Sequence, residues 1–144
     1  MNDKEREIIS ELRKDARTSL ASISHQINMP VSTVYDKINR FSKNGIIKRY
    51  IAIVDFSKLG YNYHAKLAVK VNRTHKEDLL LFLQKVSSIN SLYEINGGFD
   101  FFIETVHKDI KEYIEFLEEL NNKFDIVELH EYQVINDLVK ENFI

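Results

Sequence analysis

Ser32, Thr33, Asp36, Lys37, Arg40 and Lys43 fall along one short stretch, NMPVSTVYDKINRFSKNG, with Tyr35 and Asn39 between them. Wound as a helix, these residues share one side. Guanidinium and amide forks match the donor and acceptor pairs on base edges in a DNA major groove. Hydroxyls and ammoniums match phosphate oxygens. Val34, Ile38 and Phe41 recur at i, i+4 and i+7, so they form the opposite, buried face. Pro30 stands at or just before the first helical position, where its missing N–H costs little. Gly45 supplies the left-handed residue that ends a helix. Taken alone, this stretch reads first as a plain amphipathic helix with a solvated polar face, so the flanking sequence has to decide.

Other chemistries find less material. The five histidines, His25, His64, His75, His107 and His130, show no metal-ligand spacing and are expected at surface or satisfied polar positions. No cysteine is present, which excludes disulfides, thiol catalysis and cysteine-held zinc, and fits a reducing interior such as the cytoplasm. There is no P-loop or dinucleotide-binding glycine pattern, so no cofactor is expected. The carboxylates of EYIEFLEEL have the spacing of a solvated helix face. Nothing nominates a nucleophile or general base, and an enzyme is not expected. No apolar run is long enough to span a bilayer, and the polar start MNDKEREIIS does not read as a signal peptide.

The net charge is −2. It is unevenly spread: residues 1–50 hold ten Lys/Arg and six Asp/Glu, a net of +4, and the remainder carries −6. A basic first third on an acidic remainder suggests one module for a polyanion and another for a different task.

The elements that would position the polar row follow from periodicity. Asp3 to Lys14 reads as a helix with Ile8, Ile9 and Leu12 inward, and Asp3, Glu5 and Glu7 at its amino end suit the helix dipole. Ser19 or Thr18 can cap a second helix with Leu20, Ile23 and Ile27 inward. Asn28 is a plausible left-handed stop. Three short helices, the last two joined by a tight turn, make a helix-turn-helix over residues 1–50. A linker follows at 51–61, with a short strand expected near IIKRYIAIVD, where Lys48 and Arg49 add cations.

Residues 62–144 read as a second domain. Tyr63, Ala65, Leu67, Val69 and Val71 alternate as a half-buried strand. A helix at 76–87 follows, with Leu79, Leu80, Leu83 and Val86 inward. SLYEIN is a second strand and FFIETV a third, joined through Gly97-Gly98-Phe99-Asp100, read as a glycine-permitted turn. A helix at 109–122 should turn Ile110, Tyr113, Ile114, Leu117 and Leu120 inward, and IVELHEYQVI is the last strand. The order βαββαβ is a ferredoxin-like sandwich, so the chain as a whole is α+β. Such a sheet has helices on one face only, and apolar residues on both faces of its first and third strands imply that a second copy covers the other.

Both halves resemble the Lrp/AsnC family of leucine-responsive, feast/famine transcription regulators. The carrying residues are Glu5, Ile8, Ile9 and Leu12; Asp15-Ala16-Arg17; Val34, Lys37, Ile38 and Phe41; Gly45, Ile47 and Leu59-Gly60; and Gly97-Gly98-Phe99-Asp100. The chain departs from the family where Asn28-Met29-Pro30 replaces Gly-Leu-Ser, and where Ser22 replaces a capping glutamate.

The resemblance implies a sequence-specific, DNA-binding transcription regulator. Two protomers would present their third helices to successive major grooves. Ser32, Thr33, Asp36, Lys37 and Arg40 would reach bases or nearby phosphates, while Arg17, Lys43, Lys48 and Arg49 hold the backbone. The resemblance further implies an amino-acid or related effector at Gly97, Gly98, Phe99 and Asp100, where dimers assemble to a tetramer or octamer. Exposed glycine N–H groups would suit a carboxylate there, and Asp100 an ammonium. Two alternatives stay open: an architectural DNA protein with little sequence preference, and a stand-alone amino-acid sensor.

Overall fold

A computed structural model describes residues 1–144. The chain divides into two units, Met1–Val54 together with Val139–Ile144, and Asp55–Leu138. No helix is long and apolar enough to cross a membrane.

The first unit is built on three helices, α1 (Asp3–Lys14), α2 (Leu20–Ile27) and α3 (Val31–Lys43). Ile8 of α1, Ile23 and Ile27 of α2, and Val34 and Phe41 of α3 form its core, with Leu12, Met29 and Ile38 packed around them. Local chemistry sets each boundary. Asn2 and Glu5 form a reciprocal capping box at the start of α1. Ser19 caps α2 by accepting the Ser22 N–H. Asn28 ends α2 in the left-handed conformation, with φ of 50°. Pro30 precedes α3 and offers no side-chain cap. At the other end of α3, Gly45 takes φ of 71°. Its N–H bonds the Ser42 carbonyl, while the Ile46 N–H bonds that of Phe41. This pair satisfies carbonyls that the helix end would otherwise leave open.

Two expectations for this half are corrected. No strand forms in the linker: residues 48–55 are irregular, and a single 3-10 turn follows at Phe56–Leu59. Ile51 and Ile53 have β-favouring side chains but find no partner strand within the chain, and strand preference is largely a preference for being packed in a sheet. The second domain also does not keep the carboxyl terminus. Residues 139–144 belong to the first unit, where the Arg13 guanidinium donates to the carbonyls of Glu141 at 2.8 Å and Phe143 at 3.0 Å. Apolar patterning carries no signal for such backbone capture.

The second unit holds β1 (Tyr63–Val71), α4 (Lys76–Leu83), β2 (Ile89–Glu94), β3 (Phe101–His107), α5 (Ile110–Lys123) and β4 (Ile126–Gln133). Its antiparallel sheet has the order β2-β3-β1-β4. Leu67, Val69, Phe101 and Ile103 point to the helix layer, where Leu79, Leu83, Tyr113, Phe116 and Leu120 meet them. In α5, Ile110 and Ile114 were expected inward but are 57% and 46% exposed. Tyr113, Phe116 and Leu120 define the buried ridge, and at 3.6 residues per turn Ile110 and Ile114 lie roughly 80° and 120° away from it.

Two histidines depart from surface or satisfied positions. His107 ends β3 only 3% exposed, against the rings of Tyr113 and Phe116. Its Nε2, the His64 Nε2 and the nearby Thr105 Oγ1 have no hydrogen-bond partner in the protein. Burial lowers the His107 pKa from its ordinary 6.5, and His64 adds to the effect while Glu112 opposes it. A depressed histidine favours folding most above the ordinary value, because the unfolded chain then gains no proton that the folded chain refuses.

Stability should therefore fall as pH drops below 6.5 toward the folded His107 value. In His107→Phe this part of the pH dependence should vanish from denaturant midpoints measured across that range; an unaltered dependence would assign it to other groups. Phe41→Ala should lower the stability of the helical unit by about 3–5 kcal/mol, read as a lower melting temperature. A shift below about 1 kcal/mol would show that α3 is not anchored through this ring.

Candidate nucleic-acid interface

With Val34 and Phe41 buried, helical geometry decides what α3 shows to solvent. Ser32, Asp36, Asn39 and Lys43 lie opposite the core. Tyr35, 53% exposed, and Ser42 flank them on one side and Arg40 on the other. Thr33 is half-buried at the margin. Tyr35 and Asn39 thus belong with the expected site residues on this face. A phenol and an amide supply the flat donor–acceptor groups that read base edges.

Lys37 does not stand in that row. Its Nζ lies 2.8 Å from Oε1 of Glu5 on α1, and its side chain is only 20% exposed. Arg40 also donates to Glu5 Oε1, through Nη2, while its side chain remains 55% exposed. Glu5 Oε2 accepts the Asn2 N–H at 3.1 Å, completing the capping box. The hydrogen bond from Lys37 comes first among the causes that hold the Glu5 carboxyl at about 2, below its ordinary 4.5, followed by the Asn2 N–H. Burial opposes these two bonds, and the charges of Lys37 and Arg40 add smaller lowering effects. Glu5 is therefore ionised at any neutral pH. The motif Asn2-x-x-Glu5 reveals the cap from sequence, but nothing local announces partners 32 and 35 residues away.

The four residues expected to hold the DNA backbone behave differently. Arg17, Lys43, Lys48 and Arg49 are exposed, and none forms an ion pair. Arg17 follows the turn after α1, where its backbone N–H bonds Asp15 Oδ1 at 2.9 Å. Arg17, Lys48 and Arg49 border one groove with Arg13, floored by Ile9 and Leu12. Long side chains whose stems rest on apolar surface leave their charged ends in water, free to meet phosphates.

In the second unit, Gly97 and Gly98 turn between β2 and β3 with φ of 98° and 100°. Both are exposed, and open space surrounds each, so the constraint on them is backbone conformation. Phe99 packs its ring on His130, with centroids 4.8 Å apart. Asp100 is engaged by its own chain: Oδ2 accepts the Val71 N–H at 2.9 Å, and Oδ1 lies 3.8 Å from the Lys76 Nζ. Lys76 also approaches Glu94 at 4.0 Å, so a cation that sequence reasoning missed stands beside the turn. Its helix start is 21 residues before Gly97 in the chain, and only the folded sheet brings it there.

Residues 1–48 match a family model described as winged helix-turn-helix DNA-binding. The HTH-type transcriptional regulator FL11 of Pyrococcus furiosus is 32% identical over 127 residues, covering 88% of this chain and 80% of that protein. An uncharacterized HTH-type transcriptional regulator of Pyrococcus horikoshii is 29% identical over 140 residues, covering 97% and 89%. Among solved structures, Bacillus subtilis LrpC superposes with a TM-score of 0.87 at 20% identity, over 96% of this chain and 97% of that one. Escherichia coli AsnC gives 0.84 at 18%, over 97% and 95%. A transcriptional regulator of Neisseria meningitidis in complex with L-Met gives 0.88 at 14%, over 97% and 93%. These structures share the fold from end to end, while the FL11 match carries the relationship at the level of sequence. The chain belongs to the Lrp/AsnC family of transcription regulators.

Proposed function

We propose that this chain binds double-stranded DNA with sequence preference, as a homodimer that sets one α3 into each of two successive major grooves. The observation that carries this reading is the partition of α3. Val34 and Phe41 are sealed in the core, while Ser32, Asp36, Asn39 and Lys43 face outward as one row between Tyr35 and Arg40. Unpaired Arg17, Lys43, Lys48 and Arg49 supply the phosphate contacts. Such a regulator works where DNA is, in the cytoplasm.

The second unit supports assembly and sensing. Opposite its helices the sheet presents Tyr93, Phe102, Ala68 and His130 as a row across four strands, with Tyr93 exposed. A second copy packed there would cover this apolar surface, and further pairing would build a tetramer or octamer. The turn at Gly97, Gly98, Phe99 and Asp100, with Lys76 beside it, offers a carboxylate and an ammonium for the two ends of an amino acid. The L-Met complex of the structurally similar Neisseria regulator is in keeping with that class of effector.

Selection of random duplex DNA by the purified chain should enrich a palindromic motif. Lys43→Ala should then weaken all duplexes alike and make the salt slope shallower by about 0.9. Asn39→Ala should cost on the order of 1–3 kcal/mol on the enriched site and relax one base position. An equal loss on random DNA would place Asn39 on the backbone instead. Repeating the selection with a pool of amino acids should sharpen or erase the motif. Asp100→Asn keeps an acceptor for the Val71 N–H yet removes the charge, so it should abolish that response at unchanged melting temperature. A persisting response would move the effector site elsewhere.

A further inference from the structure

We propose that Glu5 is a positioning residue, which from α1 withholds Lys37 and Arg40 of α3 from DNA phosphates and so sets the electrostatic part of DNA affinity. The inference rests on the DNA reading above and deepens it. Residues 1–50 carry ten cations; Arg13 and Lys14 pair with Glu141 and Glu11, while the two in the middle of α3 share the buried carboxylate of Glu5. Glu5 is 7% exposed and cannot swing away freely, because its other oxygen and its own N–H are both engaged with Asn2. The lowered Glu5 pKa fits a carboxylate held between these donors. The pairing is therefore built by α1 itself and stands ready before any ligand arrives. Lys43, two turns along from Lys37 on α3, has no such partner, nor do Arg17, Lys48 and Arg49 around the helix.

The consequence follows from how the two parts of binding arise. Phosphate neutralisation gives the sequence-independent part, with about 0.9 in salt slope for each cation engaged. Base-edge contacts give the discriminating part. Two cations held by Glu5 subtract from the first part, while the outward row that would serve the second is left in place. Arg40 keeps an exposed outer edge, so its plane is oriented by Glu5 and its reach toward a neighbouring phosphate is limited. The first part is shared by random and preferred DNA, so holding two cations back lowers both affinities and flattens their salt dependence.

Glu5→Gln tests this without dismantling the helix start, since glutamine completes a capping box as glutamate does. The full-length chain is titrated with a labelled random duplex and with its enriched duplex over a salt series. Glu5→Gln should bind the random duplex more tightly, with a slope steeper by about 0.9 for each released cation that takes up a phosphate. The enriched duplex should gain by a similar factor, leaving the ratio of enriched to random affinity near that of the unsubstituted chain. Lys37→Gln, measured alongside, should keep the slope of the unsubstituted chain. A Glu5→Gln protein with normal helix content, unchanged slope and unchanged random-DNA affinity would overturn the proposal. So would a Lys37→Gln slope shallower by about 0.9, which would show Lys37 already on a phosphate. Absence of salt-dependent binding by the unsubstituted chain would instead defeat the DNA reading itself, and the role of Glu5 with it.

Discussion

The burial of Val34 and Phe41 is the constraint on which the helical unit turns. These two side chains, seven residues apart on one ridge of α3, are fully enclosed by Ile8, Ile23 and Ile27. A helix anchored at two points nearly two turns apart has no rotational freedom left, so its outer row is decided by its inner one. The left-handed Asn28 and Gly45 then limit where α3 can begin and end. Their N–H groups bond carbonyls at the carboxyl ends of α2 and α3, while the start of α3 has no side-chain cap. Pro30 replaces such a cap with a preset backbone angle, which leaves the geometry intact.

Charge is organised on the same frame. Among the cations of the first unit, Lys37 and Arg40 pair through Glu5, Arg13 and Lys14 pair with Glu141 and Glu11, and Arg17, Lys43, Lys48 and Arg49 stand exposed without an ion pair. Lys37 lies on the inner margin of α3, close to the start of α1, where its half-buried ammonium is met by a carboxylate. Glu5 meets that need from a position where a helix already favours negative charge. One acidic residue thus caps one helix and ties it to another through two of that helix's cations.

In the second unit the sheet has one covered face, and the polar exceptions within it lie near one end. Thr105 and His107 sit on the helix side of β3 among aromatic rings, beside Tyr63 at the start of β1. Tyr113 stacks on Tyr63 and donates to Glu131 at 2.6 Å, and burial together with that carboxylate pushes its ionisation far up. At the other end, Asp100 bonds the Val71 N–H and so ties the start of β3 to the end of β1. The Gly97–Gly98 turn is therefore mounted on a strand end whose position is already held.

Much of this was legible from residue order. Helix periods, the strand alternation of Tyr63 to Val71, the stops at Asn28 and Gly45 and the glycine turn are all local, since each depends on side chains within one or two turns of one another. The same local rules misplaced Ile110 and Ile114, because a helix with apolar residues over a wide arc has several candidate ridges and only the opposing sheet chooses one. They suggested a strand in the linker, where side-chain preference was present but no partner was. They put Lys37 on the polar side of α3 without showing that α1 meets that edge, since periodicity does not tell which edge another helix will cover. The sequence by itself determined the element types, the two-part organisation and the polar character of α3. The tertiary structure alone decided that Glu5 occupies Lys37 and Arg40, that Lys76 stands beside Asp100, and that the last six residues return to Arg13. These contacts join positions dozens of residues apart, and their energies come from burial and charge in a folded geometry that no short stretch of chain contains.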